Sequence, residues 1–162
     1  MRSPFLTLAI PVAALALGCS GPTVDPTKAN ALVKRIADEV GPVSAIECPE
    51  HVAAVSGATF ECVATFVGGS RQPAVVTLTS VEDGDVRGAA VWKTPLLGAR
   101  QRADVARSMA EKLGVTVAVQ CKDEVVVLPV GERARCVARG GAGDVAVEVW
   151  FEPTGDLGWR LQ

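Results

Sequence analysis

Moved along by 73 residues, the chain falls on itself. Val40-Gly41 lands on Leu113-Gly114, Cys48 on Cys121, and the stripe Leu32, Ile36, Val40 on Val105, Met109, Leu113. A shift of 74 places Gly57 on Gly131 and Cys62 on Cys136, and a shift of 71 places Gly84-Asp85-Val86 on Gly155-Asp156-Leu157. The changes of shift fall in stretches that read as loops, where insertions are tolerated. An ordered recurrence of helix, two cysteines and closing turn is the mark of duplication. It limits the chain to folds in which one small unit occurs twice.

Each unit reads as one helix followed by strands. From Thr27 to Val40, the residues Leu32, Val33, Ile36, Ala37 and Val40 recur at helical spacing, and Gly41-Pro42 stops the run. The second helix, Ala99 to Leu113, repeats the stripe with Val105, Ala106, Met109, Ala110 and Leu113, and stops at Gly114. Strands are expected at Val43–Cys48, Ala58–Val67, Ala74–Val81 and Val86–Trp92, and again at Val115–Cys121, Arg133–Arg139, Val145–Glu152 and Leu157–Leu161. Alternation assigns their faces. Phe60, Cys62, Ala64 and Phe66 oppose Glu61, Val63 and Thr65. Val147, Val149 and Phe151 oppose Glu148, Trp150 and Glu152, while Leu157, Trp159 and Leu161 oppose Gly158, Arg160 and Gln162. The expected class is α+β, two tandem repeats, each one helix packed on a small antiparallel sheet of about four strands. The first repeat spans residues 28–92 and the second, divergent one 99–162. Lys93 to Gly98 connect them, with Leu96 and Leu97 placed to dock one on the other.

The amino end reads as an address. Arg2 is the only charge before Asp25, and the apolar run from Phe5 to Leu17 is too short to cross a hydrocarbon core of about 30 Å. It has the length of a signal-peptide core. Leu15-Ala16-Leu17-Gly18-Cys19 resembles the bacterial lipobox, with a small residue before the cut and a cysteine to carry lipid. An ordinary secretory signal is the competing reading. Residues 1–18 are therefore expected to be a lipoprotein signal peptide, Cys19 the acylated residue, and 19–27 the lipidated tether.

The stretch Cys48-Pro49-Glu50-His51-Val52, then Val55-Ser56-Gly57-Ala58-Thr59-Phe60-Glu61-Cys62, continuing to Val76-Thr77-Leu78-Thr79-Ser80-Val81, resembles a known pattern. It is similar to the bacterial domain-of-unknown-function family numbered 4333, found mostly in envelope lipoproteins and membrane proteins of actinobacteria. The likeness covers residues 28–92. Residues 99–162 depart from it, since Lys122 follows Cys121 where the family has proline. The resemblance implies an envelope location and a paired Cys48–Cys62, and it implies no activity.

The five cysteines now divide as one lipid carrier and two per unit. Export meets an oxidising compartment, where disulfides are the default. Four cysteines permit three pairings, and duplication selects Cys48–Cys62 and Cys121–Cys136. Redox or metal chemistry competes weakly: there is no Cys-x-x-Cys, and only His51 stands beside the thiols as a nitrogen ligand.

No catalytic, cofactor or metal site is expected. Ser56, Ser70 and Ser80 lack a Gly-x-Ser-x-Gly setting. Gly140 to Gly143 lead into a strand, which marks a hairpin instead of a phosphate cradle. Asp83 and Asp85 have too few companions for calcium. A formal charge of -2 argues against nucleic acid as a partner. One face invites binding: Arg135, Arg139, Glu148, Trp150 and Arg160 should share the side of the second sheet away from its helix. An indole among guanidinium groups can anchor a protein, a sugar or a nucleobase. The competing reading is structural, with Glu148 paired to arginine across strands and Trp150 packed on the first unit. The expected function is thus a non-enzymatic, lipid-anchored envelope protein. Its partners are the membrane, through the lipid, and an envelope protein. The alternative is a secreted-side inhibitor or sensor that binds a protein through its sheet faces.

Overall fold

The computed structural model describes residues 22–82, 85–141 and 143–162. The expected signal peptide, Cys19, the start of the tether, and Asp83 of the Asp83/Asp85 pair lie outside the described residues.

Helix α1, Pro26–Ala37, begins where Asp25 accepts the Thr27 amide at 2.8 Å and Pro26 takes the first helical position, where no N–H is needed. It ends three residues before the expected Val40. The amides of Val40 and Gly41 both turn back to Ala37 O, tightening the last turn ahead of Pro42. The buried stripe is Ala29, Val33 and Ala37, with Val40 buried in the turn.

Four strands follow: β1 Val43–Glu47, β2 Thr59–Phe66, β3 Arg71–Glu82 and β4 Asp85–Trp92. They form one antiparallel sheet in chain order. Cys62, Ala64 and Phe66 on β2, and Ala74, Val76 and Leu78 on β3, are buried at every second position. Helix α1 touches all four strands, and its stripe joins these residues in one core.

The connector is more than a linker. Leu96–Leu97 form the short strand β5, which pairs with β7, Val126–Val127. Leu96 is buried in the first core and Leu97 in the second. A two-residue strand carries no periodicity, so this ladder left no trace in the sequence pattern.

Helix α2 spans Ala99–Leu113, closed by Gly114 at φ 70. Four antiparallel strands follow it in a second sheet ordered β10-β9-β8-β6. They are β6 Val117–Cys121, β8 Ala134–Gly140, β9 Gly143–Phe151 and β10 Leu157–Leu161. Strand β6 starts two residues later than Val115, its expected start. Val105 and Met109 of α2 share a core with Val119, Cys136, Val147 and Val149, and Trp159 Nε1 donates to Ser108 Oγ at 3.0 Å.

The halves meet tightly. The Ala99 amide donates to Val40 O at 2.7 Å, Arg100 pairs with Glu39 at 2.6 Å, and Val125 packs against the first core. Gly98 lies flat on Val40, where a Cβ would come within 2.5 Å of Val40 Cα. The described chain is a mixed α/β structure with two helices and antiparallel sheets, largely strand.

Candidate functional site

The outer face of the second sheet is built by register. Arg135 on β8 stands opposite Glu148 on β9, and Glu148 stands opposite Arg160 on β10. Trp150 lies one step along on the same face, opposite Gly158. Directly opposed antiparallel residues project from the same side, so the four belong to one surface.

Glu148 is the centre of this surface. It is 7% exposed, the buried charged residue among those described. Its carboxylate accepts from Arg133 at 3.0 Å, from Arg160 Nε at 2.7 Å and from Gln162 Nε2 at 2.7 Å. A buried carboxylate is costly without such donors. The hydrogen bond from Arg133 holds the Glu148 carboxyl below its ordinary range. The Arg160 bond and both positive charges act in the same direction, while burial opposes them.

Trp150 is fixed from three sides. Its indole lies over Gly158, where a Cβ would come within 2.5 Å of Nε1. The Arg133 guanidinium sits 5.0 Å from the ring centroid, and Nε1 donates to Glu152 at 2.5 Å. Glycine at 158 is what lets the ring lie against the sheet. Trp150 thus packs on its own sheet, not on the first unit as the structural reading had it.

The five expected residues do not form one cluster. Glu148, Arg160 and Trp150 come together, and Arg135 stands exposed beside them. Arg139 lies farther along the strand, opposite Asp144 and 3.5 Å from its carboxylate. Arg133, Gln162 and Glu152 complete the cluster and were missed as site residues. Alternation held the signal for all three. Residues 133, 135 and 139 share parity, as do 148, 150 and 152, and 160 and 162, with Arg133, Glu152 and Gln162 each one residue beyond the end of β8, β9 or β10.

The cysteines pair as Cys48–Cys62, with Cα atoms 4.3 Å apart, and Cys121–Cys136, with Cα atoms 4.1 Å apart. The second pair joins directly opposed residues of β6 and β8. Cys62 and Cys136 are buried beneath the sheets. His51 is exposed. Ser56 Oγ donates to Thr79 O at 2.8 Å, and Ser70 Oγ accepts from Gln72 at 2.8 Å. Among the described residues, no group of three His, Cys, Asp or Glu is arranged to hold a metal ion. No helix among them is long and apolar enough to cross a membrane.

Residues 11–83 match the family described as Domain of unknown function (DUF4333). No curated protein and no solved structure matches the chain. The match takes in α1 and the first three strands, with the Cys48–Cys62 pair, and stops before α2. Over residues 11–83, the chain is thus similar to the DUF4333 family.

Proposed function

We propose that the chain is a non-enzymatic, lipid-anchored protein of the bacterial cell envelope. Two equivalent helix-on-sheet units form it, and it serves as a binding module for another envelope component. The equivalence of the units is supported by details outside the regular elements. Ala54 N donates to Pro22 O at 2.8 Å, and Leu128 N donates to Pro95 O at 3.0 Å, 73 to 74 residues on. Gly57 N donates to Leu78 O and Gly131 N to Phe151 O, with both glycines at φ 84. Val24 and Leu97 are both buried, and each immediately precedes the residue that caps its helix. Chance similarity of two sheets does not require the same short ladder and the same left-handed turn.

The observation that carries the binding role is the ordered cluster on the second sheet. Glu148 fixes Arg133 and Arg160, and Arg133 lies over Trp150, so these side chains lose little freedom when a partner arrives. Crosslinking in native membranes tests it. Trp150→Ala should lose the crosslinked partner while melting stays within a few degrees of the parent. A variant that melts early instead assigns Trp150 to stability alone.

A secreted-side inhibitor or sensor is the second reading. The first sheet favours it: Val91 is 61% exposed on the outer face, directly opposite Val75. The Cys19→Ala protein separates the two readings. An inhibitor should keep its partner without the anchor, and an anchored module should lose it.

A further inference from the structure

At one end of the second unit a cavity of about 340 Å³ opens between the last turn of α2 and strands β6, β8 and β9. Met109, Leu113, Val115, Val145 and Leu161 line it, and Gly140 forms part of its wall, where a Cβ would meet Thr116 O at 2.9 Å. Apart from the Thr116 hydroxyl, the lining side chains are apolar: the Met109 thioether and aliphatic groups. Leu113, Val115, Val145 and Leu161 remain 39–46% exposed there.

The matching place in the first unit holds two aromatic rings. Phe66 pairs with Val43 on β1 as Gly140 pairs with Val117 on β6. Trp92 lies opposite Ala74, as Leu161 lies opposite Val147. Phe66 is 2% exposed, with its ring 5.8 Å from that of Trp92, and Leu96 is buried in the same core. The second unit therefore has glycine and leucine where the first has two aromatic rings.

We propose that this cavity binds a single fatty acyl chain; the comparison with Phe66 rests on the equivalence of the two units. An aliphatic cavity of about 150 Å³ accepts benzene, so about 340 Å³ has room for roughly a dozen carbon atoms. A peptide would bring backbone N–H and C=O groups, and the lining side chains offer only one hydroxyl to satisfy them. A second copy of the chain is a poor occupant. A stable pair buries roughly 800 Å² per partner over about 20–30 residues a side, and four part-exposed side chains fall far short.

Photolabelling of the full chain in phosphatidylcholine vesicles tests the site, with a diazirine-bearing dodecanoic acid as probe. Labels are expected on Leu113, Val115, Val145 or Leu161, and should drop about tenfold in both Val145→Asp and Leu161→Trp. The first puts a carboxylate in the cavity, and the second supplies the ring found at Trp92. Two variants guard against one that fails to fold, and each is read only after its melting matches the parent. Wild-type labelling no stronger than in Val145→Asp, or labels falling elsewhere, would overturn the proposal. Stronger labelling in Cys19→Ala identifies the protein's own lipid as the competing occupant, whereas equal labelling assigns the site to free or membrane lipid. The equivalence of the units is read from a different quantity. Gly57→Val and Gly131→Val should lower melting to similar extents, so either idea can fail alone.

Discussion

Gly158 lies directly beneath the indole of Trp150, close enough that a Cβ would come within 2.5 Å of Nε1. The ring cannot keep its place over anything larger. Gly158→Ala should therefore lift Trp150 away from Glu152 and Arg133. A cost of about 1–3 kcal/mol is expected, the usual range for overpacking. Denaturant unfolding measures the loss, and a red-shifted tryptophan emission should accompany it.

Glu148 makes the second sheet sensitive to acid. Its carboxyl titrates below the ordinary value because Arg133 and Arg160 bond its charged form. A group depressed on folding stabilises the protein fully above its unfolded pKa, about 4.3 for glutamate. That contribution fades as pH falls through the folded value. Melting temperature should thus drop below about pH 4.3 in the parent. Glu148→Gln, with nearly the same shape and no charge, should start lower at neutral pH and fall less over that interval. Asp25 is also depressed, chiefly by the backbone hydrogen bond from Thr27, so Asp25→Asn should flatten the same acid limb independently.

The two disulfides close loops of similar length, with sequence separations of 14 and 15. The chain-entropy model values each at roughly 3 kcal/mol. The double variants Cys48→Ala/Cys62→Ala and Cys121→Ala/Cys136→Ala should each lose about that much, and reductant should lower melting of the parent. Free-thiol labelling of the native protein without reductant, at any of these four cysteines, would contradict the pairing.

The junction gives a fourth test. Gly98 faces the backbone of Val40, so the atoms a new methyl would meet cannot rotate aside. Gly98→Ala should cost about 1–3 kcal/mol by overpacking. A denaturation midpoint unchanged by that substitution would remove the tight contact between α2 and the turn after α1.

How much of this was legible follows from periodicity. Both helices and all eight strands of the two sheets fell within a few residues of their expected bounds, because each carries a regular apolar stripe or alternation. The turn Asp38–Val40 was read as helix, since Val40 keeps helical spacing although the α-helix has already closed at Ala37. The ladder of Leu96–Leu97 with Val126–Val127 was invisible, two residues being too few to show a period. At the candidate site, alternation placed Arg135, Glu148, Trp150 and Arg160 on one face. It could not say that Glu148 is buried, which depends on Arg133, Arg160 and Gln162 closing over it.

Mass spectrometry of the membrane-extracted protein, digested without reduction, tests the whole division of the five cysteines at once. The account predicts a mature amino terminus at Cys19 carrying lipid, with Cys48 linked to Cys62 and Cys121 linked to Cys136. A chain bearing an unmodified Cys19, or one with any cysteine of residues 28–92 joined to one of residues 99–162, would contradict it.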